Sequence, residues 1–540
     1  MNSTTTALPD SSSEVISEYQ SALESERQTL QKLSNKWRAF AFTRGGAFLV
    51  SLIPLLLAAS TTFGVNKPWL YLSGVLFLVF LVLAFFHERM GRQIRLSRLL
   101  VNMHEESLAR INRKMEGVYL PPYEMPAAVE AVSNDLDLFG EFSLYQLLGT
   151  PRTPVGIQIL GDWISYPANV EEIRSRQIAV EELRQHQQWR QDFRMRCEQL
   201  ASSQAGPSRF VQWAEGEHWI DKRLALLWFC RITGTVSLIA IIALIFGLLP
   251  LTIAGPILMV TFTLNFFCSV IFTGPIHEIF NHISIHREEF SHYEILFERV
   301  VEFESESPFL QKIQDDLGGR GHDVRSCIRS LGMLNACANF RRNGVWFIVY
   351  LLFVFLFMWD VHVLERMERW KDLHGKKVRT WFEALGRWEA ALSLSKLAYD
   401  HPSWQFPEVA ISSKNKSIIE CKSLGHPLMA HDSVTNDVEV GPTGTVLLVS
   451  GSNMSGKSTL LRSLGLNAVL AQMGSVVCAQ TFKLPPLQIE TSMRIVDSLA
   501  MGTSFFMAEL KRLKEIVDLA EQFHSDESRT LFFLLDEILQ

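Results

Sequence analysis

The chain has 540 residues, a formal net charge of −6, and 48% hydrophobic against 20% charged residues. That length exceeds what one ordinary core organises, so two to four structural units are expected. The slight acidity argues against a protein that coats nucleic acid by bulk electrostatics, although a local basic patch stays open.

The seven cysteines are scattered with no CxxC pair, which fits a reducing compartment and no disulfide or zinc framework. Residues 1–40 form a polar N-terminal segment, Ser/Thr-rich at first and helical in pattern from about 14. The first apolar run begins only near Ala47, too late for a cleavable signal peptide.

Two uncharged runs follow, GGAFLVSLIPLLLAASTTFGV (45–65) and PWLYLSGVLFLVFLVLAFF (68–86), each long enough to cross a bilayer core. They predict a transmembrane hairpin within 41–88. A second pair, ITGTVSLIAIIALIFGLLP (232–250) and LTIAGPILMVTFTLNFFCSVIFTGP (251–275), predicts another within 226–275. Basic residues lie on the outer flanks: Lys36, Arg38 and Arg44, then Arg89, Arg92, Arg95 and Arg98, then Lys222, Arg223 and Arg231. By the positive-inside rule the soluble parts face the cytoplasm of a multi-pass inner-membrane protein. That rule also accounts for the 89–98 arginines without DNA or acidic lipid. A fifth run, GVWFIVYLLFVFLFMW (344–359), is shorter and ends at Asp360. A fifth crossing would put the C-terminal region outside, so a core or membrane-surface helix is expected there.

Segments 89–225 and 276–404 carry helical periodicity and many i,i+4 charge pairs, predicting a helical body in two parts. From 405 to 540 the texture changes to short β-type runs and turns.

Within that last unit, Gly451-Ser452-Asn453-Met454-Ser455-Gly456-Lys457-Ser458 satisfies G-x-x-x-x-G-K-[ST]. The glycines let backbone N–H groups wrap phosphates, and a helix over 459–472, opened by Thr459, aims its positive end at them. Lys457 supplies charge to the β- and γ-phosphates, and the Ser458 hydroxyl suits Mg²⁺. TVLLVS (445–450) is expected as the strand before the loop. LFFLL (531–535) reads as a buried parallel strand, ending in Asp536 to hold the metal and Glu537 to orient or deprotonate water. The cofactors expected are ATP and Mg²⁺.

GSNMSGKSTLLRSLGLNAVLAQMGSVVCA (451–479) resembles the ATPase domain of the MutS family, and DSLAMGTSFFMAEL (497–510) is similar to that family's stretch ending G-x-S-T-F-x-x-E. The resemblance implies that Ser504 reaches the γ-phosphate held by the other subunit of a homodimer. Phe505 and Ser498 depart from the family pattern there. LGHPLMAHDSVTNDVEV (424–440) is similar to the family's His-Pro entry and Asn-Asp turn, which implies that Asn436 lies near adenine. FSLYQLLGTPRTPVGIQILGDWISYPANVEEIRSRQIAVEEL (142–183) looks like the start of its core/lever domain. Nothing resembles the mismatch-reading domain, and the family continues beyond the Asp-Glu pair at which this chain stops.

The fold class implied is an α/β P-loop NTPase of the ABC-type/MutS-like kind. It is preceded by an all-α core/lever domain with transmembrane hairpins. The implied function is a membrane-anchored, MutS-like ATPase with Mg-dependent hydrolysis, a family-level role on mismatched or structured DNA, and the lipid bilayer as a second partner. An ABC-type transport ATPase and a non-catalytic nucleotide-gated scaffold are the alternatives. The former lacks an L-S-G-G-Q stretch.

Overall fold

The computed structural model describes residues 12–59, 67–201, 207–283, 287–319, 324–342, 347–410, 419–429, 434–452, 455–493, 505–523 and 529–536. Helices α1 (Ser12–Ala59) and α2 (Lys67–Ile111) run antiparallel for most of their length. At about 1.5 Å per residue each is roughly 70 Å long. Rungs fix their register. Arg27 pairs with Glu105 at 2.6 Å, Trp37 stacks on His87 at 4.7 Å, and the Ser73 hydroxyl donates to the Ser51 carbonyl at 2.8 Å. The polar run therefore continues into the apolar one without a break. The distal halves leave side chains such as Leu56, Tyr71 and Leu78 exposed.

The helical body comprises α3 (Glu130–Leu136), α4 (Leu144–Leu148), α5 (Pro154–Ser165), α6 (Val170–Gln185), α7 (Gln187–Ala201) and α8 (Ser208–Glu215). Its starts follow local chemistry. Ser143, Thr153 and Asn169 are N-caps whose side chains accept from Gln146, Gly156 and Glu172 N–H groups, and Pro154 occupies the first turn of α5. After α9 (Leu224–Ile245) and α10 (Leu251–Ile283), the body resumes with α11 (Arg287–Glu302), α12 (Pro308–Asp316) and α13 (Val324–Ala338).

Two further helices meet at a bend of 81°: α14 (Phe347–Phe357) and α15 (Trp359–Asp400). Met358 turns the corner in the left-handed region, at φ 51°. The 42-residue α15 is the spine of the body, packing on α5, α6, α8, α12 and α13. Its fully buried Trp388 meets Trp189 at 5.7 Å and Phe303 at 5.5 Å between ring centres. Gly386 permits the α5 contact, because a Cβ there would lie 2.9 Å from both Val155 and Ile159 side-chain carbons. Glu389 closes the same interface by accepting from Arg152 N at 3.0 Å and from the Thr153 hydroxyl.

By length and composition, four described helices, α1, α2, α9 and α10, can cross a membrane. Helix α14, read from sequence as a core or membrane-surface helix, buries Tyr350 and Val354. It packs on α9 and α10, with Phe355 against Phe262 and Phe266, while Ile348 and Leu352 are exposed. Asn265 reaches the Leu356 carbonyl at 3.2 Å.

The C-terminal unit is small. Strands β1 (Glu408–Val409), β2 (Ile419–Leu424), β3 (Asn436–Val440) and β4 (Thr481–Leu484) form a sheet of order β1-β4-β2-β3. Only the β1–β4 pair in it is parallel. A separate parallel pair joins β5 (Leu487–Ser492) to β6 (Thr530–Leu535). Helix α16 (Lys457–Met473) packs on α3, α5, α6 and β5, and α17 (Phe505–Phe523) lies on β5 and β6.

Two expectations about strands are corrected here. Residues 445–450 form no strand, and Val446 and Leu448 are 75% and 86% exposed. A strand needs a ladder partner. A groove of about 590 Å³, lined by 440–449 on one wall and 530–536 on the other, holds β6 away from them. For the same reason β6 is less buried than its composition suggests, with Leu534 buried and Phe533 41% exposed.

Candidate nucleotide site

The loop 451–458 opens α16. Gly456 has φ +89°, a conformation that suits glycine, and stands as the helix N-cap. The Leu460 N–H donates to the Gly456 carbonyl at 2.9 Å and closes the first turn. The N–H groups before it have no intrahelical acceptor and gather at the positive end of a 17-residue helix. Upstream, Ser455 N donates to the Ser452 carbonyl at 3.2 Å, and Ser455 Oγ would lie 2.7 Å from a Cβ placed on Gly451. Lys457 turns back over the loop, its Nζ 2.8 Å from the Gly451 carbonyl. Ser458 and Thr459 occupy the first turn of α16, and the Thr459 carbonyl accepts from Ser463 Oγ at 2.8 Å.

Asp536 follows β6 directly, and its N–H donates to the Ser492 carbonyl at 3.0 Å, extending the ladder by one bond. Lys457 and Asp536 line the same groove. A glycine-bracketed loop, a helix N-terminus and a lysine on one side, with a carboxylate on the other, fit a magnesium-bound polyphosphate chemically. Asn453, Met454, Ser504 and Glu537 lie outside the described residues. Asn436 does not sit in a turn: it is exposed at the start of β3, opposite Leu424. Asp437 beside it accepts from Ser423 N at 2.8 Å. Among the described residues no hydrogen bond joins Asn436 to the loop.

Further residues hold this unit together, of which Asn467, Arg113 and Asp135 carry no motif in the sequence. Asn467, fully buried, donates to the Gly425 and Ser463 carbonyls at 3.0 and 2.7 Å and accepts from Cys478 N at 2.7 Å. It clamps α16 to the segments before and after it. A lone amide within the apolar stretch GLNAVLAQM was its only signal. His426 accepts from Leu428 N at 3.2 Å; burial first, then Arg462 nearby, lowers its pKa to about 4 and keeps it neutral. Arg113 ties the helical body to this corner by donating to the Pro427 carbonyl at 2.8 Å. A second tie runs from Asp135, which accepts from Met493 N at 3.0 Å.

The arrangement defines the class first: a helical body joined to a small α/β unit that carries a phosphate-type loop. The particular relationship follows from comparison. Residues 447–538 match the family model described as MutS domain V. A DNA mismatch repair protein MutS from Lactobacillus delbrueckii subsp. bulgaricus is 37% identical over 163 residues, 29% of this chain and 18% of that protein. The DNA mismatch repair protein MSH3 of Candida glabrata is 31% identical over 171 residues, 30% of this chain and 15% of that protein. A MutS from Thermotoga maritima is 35% identical over 129 residues, covering 23% and 16%. The chain spans less than a fifth of the length of these curated relatives.

Proposed function

We propose that this protein is a membrane-anchored, MutS-like ATP-binding protein that couples nucleotide state to a helical body at the membrane surface. The observation that carries the reading is the loop 451–458. Its glycine-capped helix start and the inward-turned Lys457 lie in the segment matching MutS domain V. Lys457 and the α16 N–H groups would hold the β- and γ-phosphates, while Ser458 and Asp536 would hold Mg²⁺. The metal would supply charge neutralisation at the phosphates. Glu537 would orient the attacking water, and a second copy would bring Ser504 to the γ-phosphate.

Arg113 and Asp135 support a coupling role, since both join the helical body to the corner that packs on α16. The relatives' printed role, DNA mismatch repair, suggests DNA as the partner of the body. The apolar surfaces of α1, α2, α9 and α10 favour two hairpins in the bilayer with the soluble parts on the cytoplasmic face. The test is ATP-dependent DNA binding by the full chain in nanodiscs, comparing homoduplex, mismatched and branched DNA at one salt concentration. Mg-dependent ATP binding with a nucleotide-dependent change in DNA affinity is expected. ATP binding without DNA binding would leave the nucleotide-gated scaffold as the better reading.

A further inference from the structure

The basic residues at the feet of the two hairpins differ in how they are held. At the second, Arg231 pairs with Glu365 at 2.5 Å and Lys222 pairs with Glu217. Arg223 lies 4.1 Å from the Trp219 ring centre, and its Nη1 donates to the Trp219 carbonyl at 3.1 Å. At the first, residues 32–44 of α1 and 87–95 of α2 carry seven cations and one carboxylate, Glu88. Among the described residues the one ion pair there joins Arg95 to Glu88 at 3.5 Å, with both side chains exposed, a weak contact. Arg38 donates to the Asn35 side chain at 3.0 Å, and Arg44 to His87 Nδ1 at 3.3 Å. Lys32, Lys36, Arg89 and Arg92 are exposed and, among the described residues, make no hydrogen bond or ion pair. The positive-inside rule calls for cations at both hairpins and is indifferent to whether they are paired.

The depth of this collar follows from the aromatic residues. Trp37 stacks on His87, and eighteen residues of α2 separate His87 from Trp69. At 1.5 Å per residue that is about 27 Å, close to the thickness of a hydrocarbon core, with a tryptophan at either edge. Arg44 starts about two turns inside the Trp37 edge. Its side chain leans toward the N-terminus of α1 and returns to His87 at that edge. Exposed Phe42, Phe85 and Phe86 stand just inside the same edge. Uncompensated cations bordering exposed apolar rings call for a partner that is amphiphilic in the same sense. A nucleic-acid duplex would meet the charges and leave the phenylalanines against water, whereas lipid covers both.

We propose, on the membrane reading above, that the collar at the foot of the first hairpin binds the headgroups of anionic phospholipid and gives this hairpin a shell of acidic lipid that the second lacks. Headgroup phosphates lie just outside the hydrocarbon edge marked by Trp37, where Arg38, Arg44 and Arg89 can donate to them. Lys32, Lys36, Arg92 and Arg95 add attraction from within a Debye length of the surface. The acyl chains then lie against Phe42, Phe85 and Phe86. None of this depends on the nucleotide loop.

The experiment uses the full chain in phosphatidylcholine vesicles carrying trace spin-labelled phosphatidylglycerol or spin-labelled phosphatidylcholine. Electron spin resonance reads the motionally restricted fraction of each. An association constant at least about threefold higher for phosphatidylglycerol is expected, falling toward parity near 1 M salt, where the Debye length is about 3 Å. Combining Lys36→Gln, Arg38→Gln, Arg89→Gln and Arg92→Gln should abolish the preference. Lys222→Gln with Arg223→Gln, at the second hairpin, should leave it unchanged. The charge-keeping set Arg38→Lys, Arg89→Lys and Arg92→Lys should retain it, and together with the salt titration of the wild type keeps the test sound if the glutamine set does not fold. Equal restriction of the two lipids by the wild-type chain would overturn the proposal. So would a preference that survives high salt or the glutamine set, or one lost in the second-hairpin variant. Restriction of neither lipid would overturn the membrane reading and the proposal with it. Release of phosphatidylglycerol by a short DNA duplex would assign the collar to nucleic acid and overturn the lipid assignment alone.

Discussion

Lys457 Nζ lies 2.8 Å from the carbonyl of Gly451, six residues earlier, so the loop's cation is folded over the backbone that precedes its own helix. Among the described residues no other lysine or arginine lines the groove shared with Asp536. Lys457→Ala is therefore expected to lower ATP affinity by a hundredfold or more, since roughly 3 kcal/mol of charge-assisted contact is lost. Fluorescent-nucleotide titration measures it. Unchanged affinity would remove the loop from the nucleotide site.

Glu537 and Asp536 should separate binding from turnover. Glu537→Gln keeps the metal-side carboxylate of Asp536 and removes the group assigned to the water. Nucleotide binding is expected to stay within about twofold, while steady-state hydrolysis falls by at least about a hundredfold. Asp536→Asn should instead weaken Mg²⁺ dependence and binding together. If Glu537→Gln hydrolyses ATP at the wild-type rate, the assigned roles are wrong.

The clamp at Asn467 is a stability prediction. Asn467→Leu removes three hydrogen bonds and leaves the Cys478 N–H and Gly425 carbonyl buried without their partner. Each such orphan costs about 1–3 kcal/mol, so a loss of roughly 3 kcal/mol is expected. Because α16 starts at the loop, limited proteolysis with and without ATP should show the C-terminal unit loosening first. Proteolysis indistinguishable from wild type would mean that the clamp contributes little.

Much of this organisation was legible in local pattern. The start of α16 was readable because Gly456-Lys457-Ser458 has few other uses after an apolar run. The starts of α4, α5 and α6 were readable because Ser143, Thr153-Pro154 and Asn169 satisfy orphan N–H groups through their own side chains. What failed depended on partners far away in sequence. Residues 445–450 have strand composition, but a strand is a property of two segments, and β6 pairs with β5 instead. The Asn436-Asp437 pair reads as a turn until Leu424 is known to lie opposite Asn436. Arg113 and Asn467 carry no motif, and their roles arise only where separate elements meet.

Helix α14 makes the topology testable. Its 11 residues span about 16 Å, roughly half of a hydrocarbon core, and α15 leaves it at 81° with charged residues at once. It is therefore expected to dip beside α9 and α10 without emerging. Single cysteines placed at Asn66 and Leu251 should react with an impermeant maleimide from outside. One at Leu373, which is exposed on α15, should not. Outside labelling at Leu373 would show that α14 contributes to a complete crossing and would reverse the orientation of the nucleotide unit.

The acid limb of stability should be set partly at Glu106. Burial alone would raise this carboxyl, but Arg194, Arg152 and Arg110 around it overcome that and bring its pKa to about 2, from 4.5. The contacts are 2.6 Å to Arg194, 2.9 Å to Arg152 and 3.2 Å to Arg110. A carboxylate whose folded pKa is depressed binds fewer protons folded than unfolded between the two values. Its stabilisation is thus complete above about pH 4.5 and is lost as pH falls toward about 2. The difference corresponds to about 3 kcal/mol, an order-of-magnitude figure for a group that is mostly buried. Glu106→Gln should destabilise the chain at pH 7 by a similar amount, because three guanidiniums lose a shared counter-charge. More tellingly, the variant should lose part of the wild type's sensitivity to acid between pH 4.5 and 2. Melting temperatures of both proteins in nanodiscs across that range measure it. Parallel curves, offset by a constant, would show that Glu106 packs at this junction without its charge being what the arginines hold.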